Sequence, residues 1–262
     1  MDEDLTKEYL NRIGATRPAQ PDLDGLRHLQ ERQIMTVPFE NIDYHLDRQI
    51  FMTEEVLTKI VRERRGGGCY ETNPALGYLL ESLGYSVAIH PGRVYYRDGR
   101  LSPPLCHLVL RVDLEERWLV DTGFGRNSMH PLRFDSREPQ ADPNGEYRLA
   151  DADGGIDLYL NERLLYRIDD RTAIIDDFRP TLQWYRTAPE SPFMQDLFCS
   201  LPTETGRVTL KGQQLTIADG DGKSVEELTD DLAVLAAYRK YFGIELEQPP
   251  RAPGSADAGV QL

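Results

Sequence analysis

The spacing of the apolar residues changes once, near Tyr85, and that change limits the folds open to this chain. Before it they recur at helical intervals: Leu5, Tyr9, Leu10 and Ile13; Leu23, Leu26, Leu29 and Ile34; Val56, Leu57, Ile60 and Val61; Ala75, Leu76, Leu79, Leu80 and Leu83. Gly14 and Gly84 stand where such helices end. Thr53 ahead of Glu54 and Glu55, and Asn73 ahead of Pro74, read as helix starts. After Tyr85 the runs shorten to strand length, over 87–89, 93–96, 107–112, 117–120, 132–134, 147–149, 157–160 and 164–168, with turns such as Asp98-Gly99 and Asp142-Pro143-Asn144-Gly145 between them. A helical first third followed by so many short strands predicts an α+β chain whose middle is a twisted sheet or barrel. The last third mixes both, with strands over 197–201, 207–210 and 214–217. Thr229 is then expected to cap a helix that stops before Gly243. From Pro249 the composition PPRAPGSADAGVQL predicts a frayed tail.

With 262 residues the chain can hold one large domain or two to three small ones. Its 44 acidic against 30 basic residues leave a formal charge of −14. Such a surface repels nucleic acid and anionic membranes, and an anionic ligand would need local positive charge. No apolar run reaches the roughly 18 residues that span a bilayer. MDEDLTKEYL lacks the basic-then-apolar layout of a secretory signal, so the expectation is a cytoplasmic, soluble protein. The three cysteines, Cys69, Cys106 and Cys199, are odd in number and form no CxxC, which argues against a disulfide framework.

One of the three has an unusual setting. In RRGGGCYETN, Cys69 follows three glycines and two arginines and precedes the helix expected from Asn73-Pro74. The partial positive charge at a helix start, with Arg64 and Arg65 beside it, favours thiolate over thiol. A phosphate-binding loop of the GxxxxGK[ST] type does not fit, because no Lys-Ser or Lys-Thr follows. Packing alone explains little, because three glycines fill no core.

A nucleophilic thiol needs a base. Of His28, His45, His90, His107 and His130, His107 opens the strand HLVLRV, and Asp121 closes RWLVD fourteen residues later. If the two strands form a hairpin with residue 112 facing 116, His107 faces Asp121. If the turn is two residues longer, Asp121 faces Val109 and lies diagonal to His107. Both registers put the two side chains on one face, about 5 to 8 Å apart at Cβ, and an intermediate register separates them. TGFGR follows, with Gly123 and Gly125 suited to a tight backbone approach. A zinc site is disfavoured because no CxxC, HxxxH or HExxH spacing supplies a third ligand, and no metal is expected.

RGGGCYETN, CHLVLRV and WLVDTGFG together resemble the arylamine N-acetyltransferases. TVPFENIDYHL, SPFMQDLFCSLPTETGRVTLKG and YFGIEL agree with other segments of that family, so the likeness runs from about residue 5 to residue 246. The resemblance implies a helical domain (1–84), a β-barrel domain (85–190) and an α/β lid (191–248), with a papain-like Cys–His–Asp triad on Cys69, His107 and Asp121, and a flexible tail over 249–262. It implies an acceptor pocket lined by Phe39, Val94 and Phe124, with Arg126 and the Gly123–Gly125 loop bordering the pocket and the coenzyme cleft. The implied reaction moves an acetyl group from acetyl-CoA to small aromatic amines or hydrazines through an acetyl-cysteine. A polyketide-releasing amide synthase of the same family and a non-catalytic thiol sensor are the alternatives. Cys106 and Thr122 depart from the usual family residues at their positions, and Cys106 is a second oxidisable thiol beside the base.

Overall fold

The computed structural model describes residues 1–251. Among them no helix is long and apolar enough to cross a membrane. The helical first third contains α1 (Glu3–Ile13), α2 (Leu23–Thr36), the short α3 (Ile42–His45) and α4 (Cys69–Ser82), with a two-residue strand β1 (Phe39–Glu40) between α2 and α3. Asp2 and Asp22 cap α1 and α2 by accepting the N–H groups of Leu5 and Gly25, and Gly14 ends α1 in the left-handed conformation at φ 64°. The helix expected from Thr53 to Arg64 is shorter. Thr53 only opens a turn, through its carbonyl to Val56 N–H. The helical residues then widen into a π-type turn over Thr58–Arg62.

The apolar stripe of α4 packs with α1, α2 and β3 of the sheet described next to form the largest core. That helix starts five residues earlier than its sequence suggests. Gly68 is extended and acts as the N-cap, Cys69 is the first helical residue, and Pro74 lies inside the helix. The Glu71 carboxylate explains the early start: it accepts the Gly68 N–H at 3.2 Å, one half of a capping box.

Eight antiparallel strands follow: β2 (Ser86–Val94), β3 (His107–Asp113), β4 (Arg117–Val120), β5 (Leu132–Arg133), β6 (Gln140–Asp142), β7 (Gly145–Ala152), β8 (Gly155–Leu160) and β9 (Arg163–Asp169). They lie in the order β5-β4-β3-β2-β9-β8-β7-β6. The sheet curls into a nearly closed barrel, whose edge strands meet through one side chain. The Gln140 amide accepts the Arg133 N–H at 2.7 Å and donates to the Arg133 carbonyl at 3.2 Å. The run read at 87–89 and the start of that read at 93–96 belong to one strand, β2, with His90 and Pro91 inside it. The His90 ring is buried between the Asp169 carbonyl and Arg111.

A helix α5 (Arg179–Thr187) and a single turn α6 (Pro192–Gln195) lead out of the barrel; the strand pattern foretold neither. β10 (Phe198–Thr203), β11 (Gly206–Lys211), β12 (Gln214–Asp219) and β13 (Gly222–Glu227) then extend β1 into a five-stranded sheet. The exposed β13 carries almost no apolar residues, which is why its sequence reads as loop. α7 (Asp231–Ala237) covers one face of this sheet. Its cap is Asp230, accepting Ala233 N–H at 2.8 Å, not Thr229. Of the expected tail, 252–262 lies outside the described residues, whereas Pro250 is buried and Arg251 pairs with Asp231.

Candidate active site

β3 and β4 pair with Leu110 opposite Val120 and Val112 opposite Trp118. That is the longer-turn register of the two that keep His107 and Asp121 on one face. His107 Nε2 meets Asp121 Oδ2 at 2.8 Å, and both side chains are buried. Each Asp121 oxygen has two donors. Oδ2 also takes the Tyr166 hydroxyl at 2.9 Å. Oδ1 takes Asn73 Nδ2 and Gly123 N–H, each at 2.9 Å. Burial alone would raise the Asp121 pKa, but His107 and these donors outweigh it and hold the carboxyl below its ordinary value. Burial likewise opposes a charged imidazole, yet the Asp121 carboxylate and Cys69 reverse that and lift His107 to about 10.

Cys69 approaches this ring from the start of α4, lines the same cavity and acts on it electrostatically. With Nε2 committed to Asp121, Nδ1 is the nitrogen left for sulfur. Phe124 and Tyr166 pack against the imidazole, with centroids at 5.2 and 4.6 Å, and against each other at 5.0 Å. A cavity of about 210 Å³ opens on the thiol and is lined by Phe39, Cys69, Val94, His107, Gly123 and Phe124, with further walls from α5, α6 and β10. Among the described residues no three His, Cys, Asp or Glu side chains gather as a metal cage.

Residues 22–251 match the family model described as N-acetyltransferase. The arylamine N-acetyltransferase of Escherichia coli K12 is 32% identical over 253 residues, covering 93% of this chain and 90% of that protein. The chain belongs to the arylamine N-acetyltransferase family. Among solved structures, the Mycobacterium marinum arylamine N-acetyltransferase in complex with CoA superposes with a TM-score of 0.83 at 32% identity, covering 91% and 92% of the two chains. The M. smegmatis enzyme superposes at 0.84 with 31% identity, covering 94% and 93%. An acyltransferase of this family is therefore the frame for the remaining residues.

Phe39, Val94, Phe124 and Gly123 line the cavity, whereas Arg126 and Gly125 do not. Gly125 adopts φ 80° and presses on the Phe39 ring. Gly123 has no positive φ; its lack of a side chain matters because a Cβ there would stand 2.3 Å from Cys69 Cα. The arginines ahead of the cysteine do not serve it as expected. Arg65 is 2% exposed and bound to Glu40 and Asp43, at 2.8 and 2.9 Å. Arg64 is exposed, and its carbonyl takes Arg12.

Several residues of the site went unread in the sequence. Asn73, expected to cap a helix, instead links three elements: Nδ2 donates to the Leu108 carbonyl at 2.6 Å, and Oδ1 accepts the N–H and hydroxyl of Thr122 at 2.7 and 3.0 Å. Its place in CYETN, four residues after the cysteine and one helical turn on, was the available signal. Tyr166, Tyr185, Phe193 and Phe198 gave no local signal, because an aromatic residue in a strand or helix reads first as core. Cys106 also faces the cavity, and burial pushes its thiol pKa up. Cys199 is buried in the core beneath the five-stranded sheet.

Proposed function

We propose that the protein acetylates small aromatic amines or hydrazines with acetyl-CoA by a two-step exchange through Cys69. In this reading residues 1–84 bring the nucleophile, 85–190 the base and its acid, and 191–248 close the cavity. The Cys69 thiolate attacks the thioester carbonyl, and backbone N–H groups at the start of α4, which lack partners within the helix, hold the oxyanion. The carbon–sulfur bond to CoA breaks, and the departing sulfur takes a proton from His107 Nδ1. The amine then attacks the acetyl-cysteine, gives its proton back to His107, and releases Cys69. Asp121 stays ionised throughout and holds the ring in place.

The observation that carries this reading is the His107 ring, fixed between a fully satisfied carboxylate and a thiol that opens on a cavity walled by aromatic side chains. Phe39, Phe124, Phe193 and Phe198 offer faces and edges to one aromatic ring of the acceptor. Intact-mass measurement after incubation with acetyl-CoA is expected to show one added acetyl group on wild type and none on Cys69→Ser. A wild type that stays unmodified by acetyl-CoA would overturn the assignment and favour a carrier-bound acyl donor.

A further inference from the structure

Cys106 has no part in the reaction above, yet it lines the same cavity of about 210 Å³ as Cys69. Cys69 and Cys106 are 5% and 2% exposed, so the cavity is their route to solutes. The segments that carry them are fastened side by side. Tyr70, the residue after Cys69, donates its hydroxyl to the carbonyl of Leu105, the residue before Cys106. Tyr185 donates to the Cys106 carbonyl at 2.7 Å, and its ring meets that of Tyr70 edge to face at 5.8 Å. On the other side of Cys106, His107 carries the ring on which Cys69 acts, and Cys69 acts on the Cys106 thiol as well. The third cysteine is elsewhere: Cys199 belongs to the core beneath the five-stranded sheet and is not among the residues lining this cavity.

The two thiols differ in a way that fits consecutive steps. His107 is held protonated up to about 10, and an imidazolium beside Cys69 favours the thiolate there. Burial pushes the Cys106 thiol pKa up and keeps that sulfur neutral. A peroxide entering the cavity therefore meets one ionised sulfur and one neutral one, and the ionised sulfur reacts first. Cys106 sits in the turn ahead of β3, whose pairing with β2 starts at His107 opposite Gly92, so it can shift without opening the sheet. Leu105 holds that turn at φ 63°, a left-handed conformation that costs a leucine energy. This turn, strained and outside the ladder, is the part of the wall able to bring Cys106 to the Cα separation of about 5.5 to 6 Å that a disulfide takes.

We propose that Cys106 is the resolving thiol of a reversible oxidation site, closing a disulfide with Cys69 after a small hydroperoxide has oxidised Cys69. With hydrogen peroxide, the Cys69 thiolate attacks one oxygen; a sulfur–oxygen bond forms, the oxygen–oxygen bond breaks, and a sulfenic acid and hydroxide result. The Cys106 sulfur then attacks the Cys69 sulfur; the sulfur–sulfur bond forms, the sulfur–oxygen bond breaks, and the hydroxyl leaves with the Cys106 proton as water. The pair of thiols is oxidised by two electrons and the peroxide is reduced by two. A dithiol reductant reverses the bridge. While closed, the bridge takes the nucleophile out of acyl transfer and keeps it from the irreversible sulfinic acid. It does not depend on which acyl donor Cys69 uses.

The test treats wild type, Cys106→Ala, Cys106→Ser and Cys69→Ser with stepped doses of hydrogen peroxide and then with dithiothreitol. The readouts are intact mass, peptide mapping without reduction, and the fraction of Cys69 that iodoacetamide still labels. Wild type is expected to lose the mass of two hydrogen atoms, to yield a cross-linked peptide pair joining Cys69 to Cys106, and to regain its labelling after dithiothreitol. Both Cys106 variants are expected to gain oxygen at Cys69 instead, and to lose several-fold more of the labelling permanently at the same dose. Cys69→Ser is expected to form no bridge. A wild type that gains oxygen on Cys69 without a bridge, a bridge made through Cys199, or Cys106 variants that recover as fully as wild type would each overturn the proposal. The wild-type peptide map decides whether the bridge forms even where a Cys106 variant fails to fold.

Discussion

Asp121 illustrates how a single buried charge is tolerated. Its two oxygens receive four donors, from His107, Tyr166, Asn73 and Gly123, so no lone pair is stranded away from water. Three of these donors come from other elements, and losing any one of them loosens the ring that faces Cys69. Tyr166→Phe removes one donor without changing the ring's volume, and is expected to cost about 1 to 3 kcal/mol of stability, read from urea unfolding. Gly123 is more restrictive. A methyl group at that position must displace the Cys69 backbone, so Gly123→Ala is expected to slow Cys69 alkylation by iodoacetamide and to cost about 1 to 3 kcal/mol of stability. Wild-type labelling rates in that variant would show that the close approach is not needed.

At the scale of the element, the decisive piece is the start of α4. Glu71 caps it through Gly68 N–H and also meets Lys59 Nζ at 2.5 Å. Lys59 and Arg65 share Glu40, Asp43 and Glu71, so three carboxylates face two cations in a buried cluster. One proton is the simplest way to balance that excess. Burial, helped by Glu40 and Asp43, raises Glu71 to about 7, with Lys59 pulling the other way. A folded carboxyl whose pKa exceeds its unfolded value near 4.3 binds more protons than the unfolded chain between the two, so this group's contribution to stability falls as pH rises from about 4.3 to about 7. Glu71→Gln keeps an oxygen for Gly68 N–H and removes the surplus charge. Its melting temperature is expected to depend less on pH across that window than the wild type's, and identical pH dependences would remove Glu71 as the titrating group.

Over the whole molecule, the cavity is assembled from every third of the chain: Phe39 and Cys69, then Val94, His107 and Phe124, then Phe193 and Phe198. The barrel that carries the middle set is joined at its edges by the Gln140 amide and the backbone of Arg133. Gln140→Ala is expected to cost about 0.5 to 1.5 kcal/mol, the net worth of an ordinary hydrogen bond, and to leave the melting transition single; a larger loss or a second transition would mean that the seam governs the barrel as a whole. Much of this assembly was legible. The period change at Tyr85 separated helices from sheet, and the allowed registers of one hairpin put His107 beside Asp121. Less legible were α5 and α6, the polar strand β13, and the first residue of α4. Asn73-Pro74 looked like a helix start because a local cap and a proline are local signals, whereas the true cap depends on the Glu71 carboxylate folding back to Gly68.

The sequence by itself determined the division into a helical first third and a strand-rich remainder, the motifs that hold Cys69, His107 and Asp121, and the family, because periodicity, turn chemistry and short motifs depend only on neighbours along the chain. The tertiary structure alone decided where charge is available. Arg65, adjacent to the cysteine loop in sequence, is consumed by a buried cluster with Glu40 and Asp43, more than twenty positions away. Coulomb energy depends on distance through space and on burial, and a linear string of residues records neither.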